Sequence, residues 1–404
     1  MSSPVRPPGS ALRAAAVGVA VAAGGALLIG LSWCVDRRWT DIHMTEHYCA
    51  EYPAELARGT VLRWTGIVLG VLMLALSRHA ARWAARHSGR QVLGAVLRIS
   101  VAAVLALFAS DAVLRLRDKG RVVPSVFHYE PDSQVDPLLV YRPIPSHVTE
   151  VDAGDRHLRF VVDANDWRVR STDDVVDFAR PTVLFTGESM GSGFGLNYEE
   201  TYPFRVGQSL GLQVVNVAVQ GYGNDGAYVR LHDALPRFEH PVATVTLVNQ
   251  MMTERNVWPD RPHLLLGDDG SARTEPVRNM DGWFARSPLW RFASSVVHSD
   301  EALRRARTYI AATAGETRRR GGFPLFLVTD FRVACLPDET GAPSLERYLF
   351  EGMDVAHVRV DLGEETYDPI IKHPNAAAQE KLAEAVTRAL REHGVGEGAE
   401  SGRR

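Results

Sequence analysis

Two kinds of apolar pattern divide the chain. The first quarter carries three long runs without polar alternation, and the second half carries short valine-rich runs separated by helix-like segments. Residues 14–35 form an uninterrupted apolar run preceded by Arg6 and Arg13, long enough to cross a bilayer as a helix. The runs at 60–77 and 92–110 each contain one arginine, Arg63 and Arg98. A long arginine side chain near a helix end reaches the interface, so both are read as spans. A cleaved signal peptide for the first run and a hairpin of soluble helices for the other two are the alternatives.

From residue 181 onward, apolar runs of strand length alternate with amphipathic segments. The predicted strands are TVLFTG (182–187), VVNVAV (214–219), VATVTLVN (242–249), PLFLVTDF (324–331) and HVRVDL (357–362). Short, continuously apolar and β-branched, they suit a parallel sheet covered on both faces. Helical segments lie between them, and the last one opens beside Pro374 and closes at Gly394. The pattern predicts a three-layer α/β/α sandwich, whose ligands collect beyond the C-terminal ends of the strands.

The remaining stretches are less regular. Residues 116–180 contain Pro124, Pro131, Pro137, Pro143 and Pro145, then an alternating stretch that predicts a hairpin around Asn165 and Asp166. They are read as a linker that becomes a small β appendage. Residues 250–298 interrupt the rhythm and hold Trp258, Trp283 and Trp290, either core plugs or ligand contacts. The expected organisation is an anchor over 1–115, the appendage over 116–180, the α/β domain over 181–393 with an insertion at 250–298, and a disordered tail over 394–404.

Charge adds an orientation. Overall composition is ordinary, with 46% hydrophobic and 23% charged residues and a net charge of -3. The loop 78–90 carries Arg78, Arg82, Arg86 and Arg90 and no acid, whereas loop 36–59 has five acids against three arginines. The positive-inside rule then puts the N-terminus in the cytoplasm and everything after about residue 115 outside it. Arg115, Arg117, Lys119 and Arg121 oppose that assignment. Cys34 and Cys49 fall on the expected outer side, where a disulfide is chemically permitted, and Cys335 is left over.

The chemistry gathers at the predicted strand ends. A serine needs a base to take its proton and donors for the oxyanion. Ser189 follows the first strand directly, in Gly-Glu-Ser. Gly221 follows the second, in NVAVQGYG, where its amide is a candidate oxyanion donor. His373 precedes the last helix, in KHPNAAA.

This order of motifs resembles the SGNH (GDSL-like) hydrolase superfamily over about residues 181–393. The resemblance implies a flavodoxin-like α/β fold, Ser189 as nucleophile, His373 as general base, and the Ser189 and Gly221 amides as oxyanion donors. Three features depart from the family pattern. Glu188 stands where aspartate is usual, and Met251 stands near the position of the asparagine that supplies a third donor. Asn249, Gln250 and Asn256 are the substitutes, with Asn249 nearest. Ile370 and Ile371 occupy the positions of the family's acid, so Asp368 is the candidate acid only if the loop bulges; a backbone carbonyl is the fallback orienter.

The expected function is a membrane-anchored serine esterase or O-acyl hydrolase acting outside the cytoplasm on a small-molecule, lipid or glycan ester. An O-acyltransferase of cell-envelope glycans and a catalytically impaired binding protein of the same fold are the alternatives. No metal, organic cofactor or nucleic-acid partner is implied, since no zinc-spaced Cys/His cluster, phosphate loop or repeat is present.

Overall fold

The computed structural model describes residues 9–36, 52–119, 133–136, 138–153, 156–257, 263–266, 272–275, 288–329, 345–368, 371 and 373–396. Cys49, Cys335, Trp258, Trp283, Ile370 and the tail beyond residue 396 lie outside the described residues. The three apolar runs form α1 (Ser10–Cys34), α2 (Tyr52–Arg86) and α3 (Gly89–Lys119). Each contains a stretch long and apolar enough to cross a membrane. Large apolar side chains such as Leu12, Val19, Leu97, Ile99 and Leu105 face outward, a surface suited to lipid rather than water.

Small residues let α1 and α2 approach closely. A Cβ at Gly25 would stand 2.7 Å from the Gly70 carbonyl oxygen, and one at Gly70 would stand 2.7 Å from the Gly25 carbonyl oxygen. Gly18 faces Ala81 and Gly66 faces Ser32 along the same seam. Membrane helices pack through such small side chains because lipid offers no hydrophobic gain for burying large ones.

The α/β unit is built on an eight-stranded sheet. A separate antiparallel pair, β1 (Ser133–Asp136) and β2 (Val140–Pro143), precedes it. Next come β3 (His147–Ala153), β4 (Arg156–Val162), β5 (Arg168–Val169), β6 (Thr182–Thr186), β7 (Gln213–Asn216) and β8 (Pro241–Val248). The pair β9 (His263–Leu266) and β10 (Ala272–Glu275) stands apart, and β11 (Phe323–Thr329) and β12 (Ala356–Val360) complete the main sheet. Its order is β12-β11-β8-β6-β7-β5-β4-β3. The five predicted strands are β6, β7, β8, β11 and β12, all mutually parallel. Their order, β7-β6-β8-β11-β12, is the flavodoxin-like 2-1-3-4-5 arrangement.

The expected appendage joins this same sheet. β3, β4 and β5 continue it as an antiparallel meander, through the pairing of Arg168 in β5 with Asn216 in β7. The turn between β4 and β5 falls at Asn165 and Asp166. Asp163 accepts from the Asn165 and Trp167 amides at 2.8 and 2.9 Å, and Asp166 takes a left-handed φ of 61°. Aspartate tolerates that region because its short polar side chain bonds locally.

Helices cover both faces. The short α4 (Ser189–Ser192) caps β6, and α5 (Tyr202–Leu210) and α6 (Asn224–Ala234) follow. Then come α7 (Gln250–Arg255), α8 (Pro288–Arg319), α9 (Leu345–Phe350) and α10 (Ala376–Glu392). Alternation along β6 sorts the layers. Val183 and Phe185 join Val206, Leu210, Leu382, Val386 and Leu390 of α5 and α10, whereas Leu184 joins Leu231 and Ala234 of α6. Helix α8 starts at Pro288, inside the expected insertion, whose other described elements are α7 and the β9–β10 hairpin.

Leu247 is fully buried in the layer beneath α5 and α10. Leu247→Ala is expected to destabilise the α/β unit by about 2–5 kcal/mol, read as a lowered thermal midpoint in far-ultraviolet circular dichroism.

Candidate active site

The parallel strands all end on one edge, and the predicted residues arrive there from four different loops. Gly187 follows β6, and Glu188 then caps α4 with a carboxylate that accepts from the Met190 amide at 3.1 Å. This sharp turn leaves Ser189 at the first position of α4, buried to 7% exposure. The turn is braced from three directions. Asn216 donates to the Gly191 carbonyl at 3.0 Å, and Gln379 of α10 donates to the Met190 carbonyl at 3.2 Å. From β5, the buried Arg168 guanidinium donates to the carbonyls of Ser192, Gly193 and Leu196. Burial pushes Arg168 down to about 10, which leaves it charged at neutral pH.

His373 comes from the loop between β12 and α10. Asn375 caps α10 by accepting from the Ala377 and Ala378 amides, at 3.0 and 3.1 Å, and its own amide donates to the Thr366 carbonyl at 2.8 Å. The Asp368 amide donates to the His373 carbonyl at 2.8 Å. This closed loop presents the imidazole to the serine, with Nε2 3.1 Å from Ser189 Oγ. Phe194 packs edge-on against the ring, with centroids 4.7 Å apart.

A backbone carbonyl faces the other ring nitrogen. His373 Nδ1 lies 3.2 Å from the Ile371 carbonyl oxygen, the tautomer-fixing position where Asp368 was one candidate. The Asp368 carboxylate instead accepts from the Ile371 amide at 2.8 Å and faces Arg156 at 3.8 Å. The bond from the Ile371 amide to Asp368 turns the chain there, with the Ile371 carbonyl towards the ring.

Gly221 lies beyond β7 with φ of 72°, a conformation that strongly favours glycine. A Cβ there would also collide with the Tyr141 hydroxyl, at 2.2 Å. Tyr141 donates to the Gln220 carbonyl, and Tyr222 donates back to the Tyr141 carbonyl, both at 2.5 Å, so β2 clamps this loop. The Val219 amide donates to the Gly187 carbonyl at 3.2 Å, which holds the loop alongside the serine turn.

The candidates for a third donor separate. Asn249 caps α7 through its oxygen, which accepts from the Met252 amide at 2.9 Å, and donates through Nδ2 to Glu188 Oε1 at 3.1 Å. Asn256 accepts from the Asn224 amide at 2.9 Å and belongs to the cap of α6. Gln250 donates to Glu254 at 3.0 Å. Asn249 therefore stands beside the serine turn through its bond to Glu188.

Two further residues emerge. Glu188 is 1% exposed, accepts from the Ser189 hydroxyl, and lies 3.4 Å from Arg255 of α7. Arg255 also donates to the Tyr222 carbonyl at 3.0 Å. Burial by itself pushes the Glu188 carboxyl up. The Arg255 charge, the Ser189 hydroxyl, His373 and the Met190 amide outweigh it and leave the group below its ordinary value. For His373, burial pushes the imidazole down, outweighing the Glu188 charge and the Ile371 carbonyl that favour protonation.

Together, the sheet order, the Gly-Glu-Ser turn on the first parallel strand and the histidine loop before the last helix place the candidate site at the C-terminal edge of a flavodoxin-like α/β fold. No family model matches the chain, and no curated protein matches it. Several solved structures do, all at low identity. A G-D-S-L family lipolytic protein structure from Desulfitobacterium hafniense DCB-2 is 14% identical, with a TM-score of 0.33, over 52% of this chain and 99% of that one. TesA is 17% identical with a TM-score of 0.33, over 52% and 98%. AlinE4, an SGNH-hydrolase family esterase, is 18% identical with a TM-score of 0.29, over 55% and 98%.

An imidazole held below its ordinary value of about 6.5 is neutral, and able to accept a proton, throughout the neutral range. The rate at which a fluorophosphonate labels the chain is therefore expected to rise with pH through a midpoint below about 6.5 and to be level from pH 7 to 8.

Proposed function

We propose that this chain is a membrane-anchored serine hydrolase that cleaves carboxylic esters outside the cytoplasm, with Ser189 as nucleophile and His373 as general base. The observation that carries this reading is the 3.1 Å approach of His373 Nε2 to Ser189 Oγ at the C-terminal edge of the parallel sheet. That distance lies within direct hydrogen-bond reach and argues against a drifted, purely binding site.

In the proposed cycle, His373 holds its Nδ1 proton against the Ile371 carbonyl and accepts the Ser189 hydroxyl proton at Nε2. Oγ attacks the ester carbonyl carbon, and the carbonyl π pair moves onto its oxygen. The Ser189 and Gly221 amides are the proposed donors to that oxyanion, with Asn249 as third candidate. Collapse of the tetrahedral intermediate breaks the bond to the leaving alcohol, which takes the proton from Nε2. Water attacks the acyl-serine in the same manner and regenerates the hydroxyl. Asp368 contributes by shaping the turn that presents the Ile371 carbonyl.

The three apolar helices favour a substrate at or near a membrane surface. The arginine-rich loop 78–90 favours placing the α/β unit on the outer side. A second hydroxyl in place of water turns the same cycle into acyl transfer, which product analysis distinguishes from hydrolysis.

The full chain in detergent is expected to react with a fluorophosphonate probe and to release p-nitrophenol from short-chain p-nitrophenyl esters. Ser189→Ala abolishes labelling, and His373→Ala lowers its rate by about 100-fold or more. Asp368→Asn, which keeps an oxygen to accept the Ile371 amide, stays close to wild type. An unlabelled but folded wild-type chain would count against the reading.

A further inference from the structure

The site contains a buried charge pair that the proposed cycle leaves unused. Glu188 and Arg255 are 1% and 6% exposed. Burying such a pair is costly, and it is only weakly favourable as a stabilising device. Glu188 is also not an isolated structural carboxylate. Its Oε1 accepts from Asn249 and from the Met190 amide, both at 3.1 Å, while its Oε2 accepts from the Ser189 hydroxyl and faces Arg255. All these partners favour the ionised form.

Meanwhile the position that an acid takes against Nδ1 in a Ser-His-Asp site is filled by a neutral carbonyl. A carbonyl fixes the tautomer but supplies little charge to the imidazolium that forms when the serine proton moves.

We propose that Glu188 is the acidic member of this active site, a carboxylate that contacts Ser189 Oγ and supplies from the serine side the negative charge that stabilises protonated His373. This inference rests on the serine–histidine reading above. The hydroxyl joins the two groups: Oγ is bonded to Glu188 on one side and lies 3.1 Å from Nε2 on the other. In the resting state the hydroxyl proton points to Glu188. With substrate bound it turns to Nε2 and is transferred there, while Glu188 remains an anion facing the new cation. Glu188 takes no proton, and Arg255 keeps it ionised.

Among the described residues, the charged and titratable groups around the imidazole are Glu188 and Arg255 from the serine side and Asp368, paired with Arg156, on its own loop. Tyr202 also faces Glu188; burial and then the Glu188 charge push its phenol well above its ordinary value, so it stays neutral. Glu188 is therefore the buried anion whose loss changes the field at His373 most.

The test measures fluorophosphonate labelling against pH and, independently of activity, the titration of His373 by NMR. It uses the full chain in detergent with 13C-labelled histidine, and the His373 signal is assigned by its loss in His373→Gln. Glu188→Gln is expected to lower the labelling rate at pH 7 by about 100-fold. It is also expected to move the His373 midpoint down by about one pH unit or more. Glu188→Asp keeps the charge and holds the midpoint near wild type; it also provides the reading if Glu188→Gln does not fold, since a midpoint displaced despite the retained charge overturns the proposal.

An unchanged midpoint in folded Glu188→Gln overturns the inference and leaves the serine–histidine reading intact. A wild-type chain that is not labelled overturns that reading instead, and the NMR titration still decides whether Glu188 sets the charge state of His373.

Discussion

The approach of Ser189 Oγ to His373 Nε2 joins loops 184 residues apart, and the rest of the α/β unit acts to make it short. Neither loop holds its shape alone. The serine turn depends on a parallel strand buried on both faces, and on bonds from Asn216, Gln379 and Arg168 to the carbonyls that follow. The histidine loop depends on the Asn375 cap and on the Asp368 turn. Gln379 links the two directly: it sits on α10, just beyond the histidine, and bonds both Met190 and Tyr202.

The unusual feature of this edge is how charge is distributed. Arg168 satisfies carbonyls rather than an acid, and Glu188 sits beside Ser189 with Arg255 behind it. The antiparallel meander is therefore more than an appendage. It delivers Arg168 to the back of the serine turn, while Tyr141 of the neighbouring β2 closes over the Gly221 loop. Both act on backbone atoms, which suits a site whose proposed oxyanion donors include the Ser189 and Gly221 amides.

Much of the architecture was legible in the sequence because it is written in side-chain pattern. Continuous β-branched runs marked the five parallel strands, and Pro374 with Asn375 marked the start of the last helix. Ser189 and His373 stood out because each adjoins such a boundary. The proposed orienter did not, because any residue supplies a carbonyl; only the loop's path brings that of Ile371 to the ring. Arg255 was equally silent, since its meaning comes from Glu188, 67 residues earlier in the chain. The acidic residue immediately before the serine was the available signal, but spacing alone shows no difference between a solvated glutamate and one buried against Oγ. The meander's place in the main sheet was hidden too, because it rests on one residue pair between β5 and β7.

If Ser189 is the nucleophile, its acyl form can be trapped, and that trapping is the most direct test. The full chain in detergent is mixed with a p-nitrophenyl ester, quenched in acid within the first turnover, digested and mapped by mass spectrometry. The account predicts one acyl group on the peptide containing Ser189. A well-folded chain with no adduct, or an adduct on any other residue that accounts for turnover, would contradict it.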